Sequence, residues 1–352
     1  IIAGARPNFM KIAPILEALR STDLDPRLIH TGQHYDRNLS ETFFEQLGIP
    51  APDINLGVGS GSQAEQTGAI MTGYEKVLQE SASDFCLVVG DVTSTMACTI
   101  CAKKMQVRCG HVEAGIRSGD LAMPEEINRM VTDALCDLFF TTSRSAGENL
   151  RRAGVADHRI HFVGNTMIDT LLKQRANFTP PACWEEQGLS DGSYVVLTLH
   201  RPDNVDETQH LSAILDALAE GCPCPVVFPV HPRTRKILDG LEQSHEQLHL
   251  LDPLPYLEFN YLVEHARAVV TDSGGITEET TVLGIPCLTL RDSTERPETV
   301  SIGTNELVGS DPAQLAPYLE CLFSGTWKTG SIPELWDGQT GPRIARILAD
   351  EV

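Results

Sequence analysis

Short apolar runs alternate with segments whose apolar residues recur every three to four positions, and this alternation narrows the possible folds more than any other feature of the chain. The runs are IIAG, RLIHTG, FCLVVG, VRCGHVEA and LFFTTS, then IHFVG near position 160, followed by a second series of YVVLTLH, PVVFPVH, LHLLDPL, AVVTDS and PCLTL. A strand apolar along its whole length must be covered on both faces, and the intervening segments have the helical spacing to cover it. In the first of them, Phe9, Ile12, Ile15, Leu16 and Leu19 fall on one face. The expected class is therefore α/β, with doubly wound parallel sheets. Nothing repeats at a short fixed period.

The two series are separated by VGNTMIDTLLKQ and the proline-rich NFTPPACWEEQGLSDGS, which puts a domain boundary near position 166. The expected division is a first domain over 1–166, a second over 167–338, and a helix over 339–352 that packs back on the first. At 352 residues, 41% of them apolar, the chain can bury two cores. Two facing doubly wound domains would put a cleft at the carboxyl ends of both sheets. A net charge of -21 repels a phosphate backbone, so nucleic acid is not an expected partner. Cys86, Cys98, Cys101, Cys109, Cys136 and Cys287 lie inside apolar runs and read as small buried hydrophobes of a reducing compartment. Cys222 and Cys224 form a C-P-C without a second pair at zinc spacing, so no metal site is expected. No apolar run approaches membrane length, the chain opens inside a strand-like segment, and no signal peptide is expected. We expect a cytoplasmic protein that lacks a few natural residues ahead of that strand.

Several loops at strand ends carry more chemistry than turns need. GARPNFMK offers Gly4 for a tight turn, Pro7 near a helix start, and Arg6 and Lys11 for anionic oxygens, although a plain strand-to-helix turn would look similar. GDVTST places Asp91 at a strand end, where helix capping is the ordinary alternative. HVEAGIRSGDLAMPEEINR gathers Glu113, Arg117, Asp120, Glu125, Glu126 and Arg129 directly after a strand. In TDSGGITEE, Ser273, Gly274 and Gly275 expose backbone N–H groups at a helix start, which suits a phosphate. Glu278 and Glu279 are either first-turn acids or acceptors for a ribose. Arg291 and Arg296 belong to RDSTERPETV, whose alternative is a salt-bridged surface loop. His200 and His231 end successive strands on one rim. LGVGSGSQAEQ does not open a helix straight from a strand and reads as a loop rather than a dinucleotide cradle.

Together, GARPNFMK, TGQHYD, GDVTST, HVEAGIRSGD with PEEINR, TLHRPDN, VHPRTRK and DSGGITEETTVLGIPCLTLRDSTERPETV resemble the non-hydrolysing UDP-N-acetylglucosamine 2-epimerases, in order and over almost the whole chain. The resemblance implies two Rossmann-like domains in a GT-B-like architecture, a homodimer, and interconversion of UDP-GlcNAc and UDP-ManNAc with no added metal or other cofactor. It implies Arg6 and Lys11 in the substrate cleft, and Asp91, Glu113 and Glu125 as catalytic carboxylates. It places His200, counted with the catalytic residues, near the diphosphate, Phe259 on uracil, Ser273, Gly274 and Gly275 as phosphate cradle, Glu279 as ribose acceptor, and Arg296 and Arg129 on substrate. HRPDN departs from the family's HRREN, and TGQHYDRN from its QHREML. Those neighbourhoods help form an activating site in bacterial members, so the resemblance does not extend to activation.

The implied chemistry explains the charge. The C2 proton of an N-acetylhexosamine is not alpha to a carbonyl, so its removal needs another electron sink. If UDP leaves C1 as the C2 proton is taken, a glycal forms, and UDP can add back with the proton delivered to the other face. That route needs carboxylates around the sugar and fixed positive charge on the diphosphate. The alternatives are the same reaction on a modified sugar such as UDP-2,3-diacetamido-2,3-dideoxyglucuronic acid, hydrolytic epimerisation, a glycosyltransferase, and a non-catalytic UDP-sugar binder.

Overall fold

The computed structural model describes residues 1–32, 47–238, 240 and 245–352, apart from the side chains of Arg6, Pro232 and Arg233. The QHYDRN part of TGQHYDRN lies outside the described residues. The chain divides into two compact units, one formed by residues 1–173 with 334–352 and the other by 174–333. Among the described residues no helix is long and apolar enough to cross a membrane.

In the first unit, β1 (Ile2–Ala3) pairs with β2 (Ile29–His30), and β2 with β3 (Ile54–Asn55). Four further strands follow in spatial order, β4 (Phe85–Val89), β5 (Arg108–Val112), β6 (Leu138–Thr141) and β7 (Ile160–Phe162). Every pairing is parallel, and β1 runs beside β4. The chain winds outward from β1 in one direction and from β4 in the other, so the order reverses between these two strands. In an open parallel sheet that reversal leaves a crevice at the carboxyl ends.

The second unit repeats this plan in a single six-stranded sheet of order β10-β9-β8-β11-β12-β13. Its strands are β8 (Val195–Thr198), β9 (Val226–Pro229), β10 (Leu248–Leu251), β11 (Ala268–Thr271), β12 (Cys287–Thr289) and β13 (Asn305–Leu307). The reversal here falls between β8 and β11. Val195, Leu197, Phe228, Val270 and Leu288 point into one core, while Val196, Val227, Val269 and Cys287 point into the core on the opposite face. The doubly wound α/β expectation is met in both units. Edge strands β3 and β13 were not anticipated, because their two and three residues carry Asn and Glu and pair on one side only.

Helix packing follows the apolar spacing. Phe9, Ile12, Ile15, Leu16 and Leu19 of the helix Arg6–Leu19 are all buried. The helix Thr340–Glu351 packs against it through Ile344, Ala345 and Leu348, close enough that a Cβ on Gly341 would lie 2.4 Å from the Pro14 carbonyl oxygen. The helix Thr166–Gln174 buries Met167, Ile168 and Leu171, and its Thr170 hydroxyl donates to the Met10 carbonyl. The six cysteines read as hydrophobes are all buried and free.

One helix reverses the rule. In Pro124–Leu135 the buried residues are Glu126, Asn128, Arg129, Thr132 and Asp133, whereas Ile127 and Met130 are exposed. Burying so many polar groups is tolerable only if each finds partners.

Candidate active site

At the switch point of the first sheet, the loops after β1, β4 and β5 meet. Asn8 opens the first helix, accepts from the Gly4 and Ala5 backbone N–H groups, and donates to the Val89 carbonyl across the crevice. One turn later Lys11 forms an ion pair with Glu113 at 2.5 Å. Glu113 follows β5 in a left-handed conformation, φ 70°, which costs a non-glycine residue free energy and turns its carboxylate toward Lys11. Gly90 lies beneath this pair. Its φ is 71°, and a Cβ there would stand 3.2 Å from the Asn8 side-chain nitrogen and 3.3 Å from Lys11 Nζ.

Asp91 follows Gly90 and is not a helix cap, since the next helix starts at Thr93 behind Val92 without a side-chain cap. Its Oδ2 instead accepts from Arg129 Nε at 3.1 Å and Nη2 at 2.8 Å, and its carbonyl accepts from Asn128. Arg129 also donates to Glu126 at 2.5 Å. Glu126 is spent on structure: its carboxylate accepts from the Ser118 and Gly119 backbone N–H groups and holds the SGD loop. Burial pushes its pKa up, but these donors and Arg129 bring it below the usual value. Glu125, one turn before Arg129, stays half-buried. Of the two adjacent acids in PEEINR, it is the one not committed to the loop.

Sequence reasoning missed His111 and Asp133. His111 is fully buried, with Nδ1 2.7 Å from Asp133 Oδ1 and Nε2 2.8 Å from the Gly90 carbonyl oxygen. Arg117, another charge of the segment after β5, forms its ion pair with Asp133 at 2.6 Å. A polar stripe on a helix, N-R-x-x-T-D, was the available signal.

The second unit has a comparable centre between β8 and β11. Asp272 is fully buried and accepts from the backbone N–H groups of His200 and Arg201 and from the Asn204 side chain. Its second contact with His200 is through Nδ1, 2.7 Å from Oδ1. Burial would raise the Asp272 pKa, but His200 and these N–H donors outweigh it and hold the group ionised. Asp272 was not singled out from the sequence. It leaves the His200 ring largely exposed with its far nitrogen available. His231, two residues past β9, is also exposed.

Ser273 precedes the helix Gly274–Leu283, whose first turn has free N–H groups and no acid. Arg291 lies alongside: a Cβ on Gly274 would be 3.9 Å from its Nη1. Arg291 holds Glu295 through two bonds of 2.7 and 2.8 Å, and Arg201 approaches the same carboxylate at 3.6 Å. Neither acid of the EE pair acts on the helix dipole. Glu278 is buried against Arg296, while Glu279 is buried and accepts from the Tyr256 hydroxyl at 3.0 Å. Burial, with the Glu278 charge adding to it, pushes the Glu279 carboxyl up to about 7. The RDSTERPETV arginines are thus buried, not a solvated surface loop. Phe259 is half-buried on the helix Tyr256–His265 against the Val196–Val227–Val269 core. The Arg6 side chain falls outside the described residues.

Two Rossmann-ordered units, one with cation-paired acids at its switch point and the other with a helix start flanked by arginines, define a GT-B-like α/β enzyme. The family model described as UDP-N-acetylglucosamine 2-epimerase matches residues 17–349. The chain is 39% identical over 362 residues to the UDP-N-acetylglucosamine 2-epimerase of Methanocaldococcus jannaschii, covering 99% of this chain and 98% of that protein. It is 40% identical over 354 residues to the UDP-2,3-diacetamido-2,3-dideoxy-D-glucuronate 2-epimerase of Pseudomonas aeruginosa, again covering 99% and 98%. The crystal structure of the M. jannaschii protein in complex with UDP-GlcNAc and UDP matches with a TM-score of 0.89 at 39% identity over 99% of this chain and 98% of that one. The chain belongs to the UDP-N-acetylglucosamine 2-epimerase family, and its enzyme class is isomerase.

Proposed function

We propose that this protein interconverts UDP-GlcNAc and UDP-ManNAc by eliminating and re-adding UDP. In the first half-reaction a carboxylate takes the C2 proton, the C1–O bond breaks with its electron pair leaving on UDP, and the C1=C2 bond of 2-acetamidoglucal forms. In the second, a protonated carboxyl delivers a proton to the opposite face of C2 while a UDP oxygen rebonds to C1. Asp91 and Glu113, gathered at one switch point and each tied to a cation, carry this reading. Lys11 and Arg129 hold the two acids in place, and Glu125 is the third acid available to the sugar. In the second unit, the first turn of the helix Gly274–Leu283, His200 and the RDSTERPETV arginines answer the diphosphate, Phe259 the base and Glu279 the ribose.

Proton NMR of the purified protein with UDP-GlcNAc in deuterated water tests this directly. UDP-ManNAc should appear reversibly, with solvent deuterium at C2 in both sugars. Turnover without exchange would remove the elimination route, and irreversible release of free UDP would point to hydrolysis. The 40% identity to the P. aeruginosa protein favours one second reading, the same reaction on a diacetamido-glucuronate UDP-sugar. The two substrates assayed side by side distinguish them by kcat/KM.

The inverted helix Pro124–Leu135 supports self-association. Leu121, Ile127 and Met130 are 64%, 43% and 45% exposed, and three large apolar side chains along one helix and its lead-in loop suit a second copy of this chain.

A further inference from the structure

We propose that the buried His111–Asp133 pair, unused in the mechanism above, is the positioning device for the first unit's acids, with the His111 ring donating from both nitrogens. The inference rests on the epimerase reading for its kinetic part and on geometry for the rest. His111 Nε2 faces the Gly90 carbonyl oxygen at 2.8 Å, and Nδ1 faces Asp133 Oδ1 at 2.7 Å. A carbonyl oxygen has only lone pairs to offer. Asp133 is likewise an acceptor throughout, since its Oδ2 takes the Gly115 N–H at 3.1 Å and pairs with Arg117 at 2.6 Å. The Asp133 pKa is lowered despite burial, and the Arg117 guanidinium contributes to this independently of the state of His111. A neutral imidazole owns one N–H and would set lone pair against lone pair at one of these two contacts. In a fully buried site that is a costly arrangement. A doubly donating ring satisfies both, and Asp133 balances its charge.

The pair anchors two turns at once. Through His111 it fixes the carbonyl of Gly90, φ 71°, directly before Asp91. Through Asp133 it fixes the N–H of Gly115, φ 78°, two residues after Glu113 with its own φ of 70°. A Cβ on Gly115 would lie 2.2 Å from the Ala146 carbonyl oxygen, so this turn packs directly on its neighbour and takes no side chain there. Both acids therefore take their direction from one buried hydrogen-bonded centre on β5 and the helix behind it. A core histidine that only supported folding would have no reason to grip the backbone beside each acid.

Two measurements test this on the full chain. With 15N-labelled histidine, long-range proton–nitrogen NMR at neutral pH should show both His111 ring nitrogens protonated; one protonated and one bare nitrogen would overturn the proposal. Separately, His111→Gln and Asp133→Asn should lower kcat by roughly 100-fold while KM and the affinity for UDP stay within about threefold. In folded variants, a kcat loss below about tenfold, or one matched by KM, would overturn the positioning role. If neither variant folds, the ring spectrum of the unmodified protein decides alone. If the unmodified protein does not epimerise UDP-sugars, the reading of function fails, and the spectrum still judges the ring.

Discussion

Among single side chains, the acids separate by what holds them. Glu113 pairs with Lys11 and Asp91 with Arg129 at the switch point, while Glu126 is consumed by the loop it caps. Glu113→Gln should reduce turnover by roughly 10³-fold and abolish C2 deuterium incorporation, with UDP affinity retained, as read by kinetics in deuterated buffer. Glu279 gives a pH test. Its folded pKa of about 7 lies above the ordinary 4.5, so the folded state holds the proton more tightly than the unfolded chain. Its stabilising contribution is complete below the ordinary value and is lost as pH rises through about 7. The loss in unfolding free energy is on the order of 3 kcal/mol. Denaturation midpoints between about pH 5 and pH 8 should fall with rising pH, and Glu279→Gln should flatten that fall. Asp91, Glu113 and the SGG turn could be placed at strand ends from the sequence, although helix capping was the ordinary alternative for Asp91. His111, Asp133 and Asp272 were not singled out, because a buried polar residue looks ordinary until its partners from distant strands and helices are known.

Among the elements, backbone shape at the strand ends decides where those acids point. Gly90→Ala adds a Cβ at a left-handed position already 3.2 Å from Asn8, so it should cost about 1–3 kcal/mol and lower activity further by displacing Lys11. The helix Thr340–Glu351 is seated on the helix that carries Lys11, and a Cβ added at Gly341 would lie 2.4 Å from the Pro14 carbonyl oxygen. Gly341→Val should lower the melting temperature of the protein by several degrees at a cost of roughly 1–3 kcal/mol, seen by calorimetry. Apolar periodicity announced the first helix correctly. It misleads in Pro124–Leu135, whose buried face is polar because it frames a site rather than a core.

For the molecule as a whole, the acidic surface and the inverted helix make opposite demands on association. A net charge of -21 disfavours bringing two copies together, so any dimer must draw on apolar contact. Light scattering should find a dimer whose dissociation is enhanced by low salt, and Met130→Glu should shift it to monomer. The strand-and-helix alternation determined that there are two doubly wound units, because strands apolar throughout admit no half-exposed sheet. The strand-end motifs determined the family and named the candidate site residues. Folding alone decided the rest: which acid of PEEINR is free, that Arg117 serves Asp133, and that one buried histidine joins two turns. Such assignments depend on distances between atoms far apart in the chain, which local composition and periodicity do not encode.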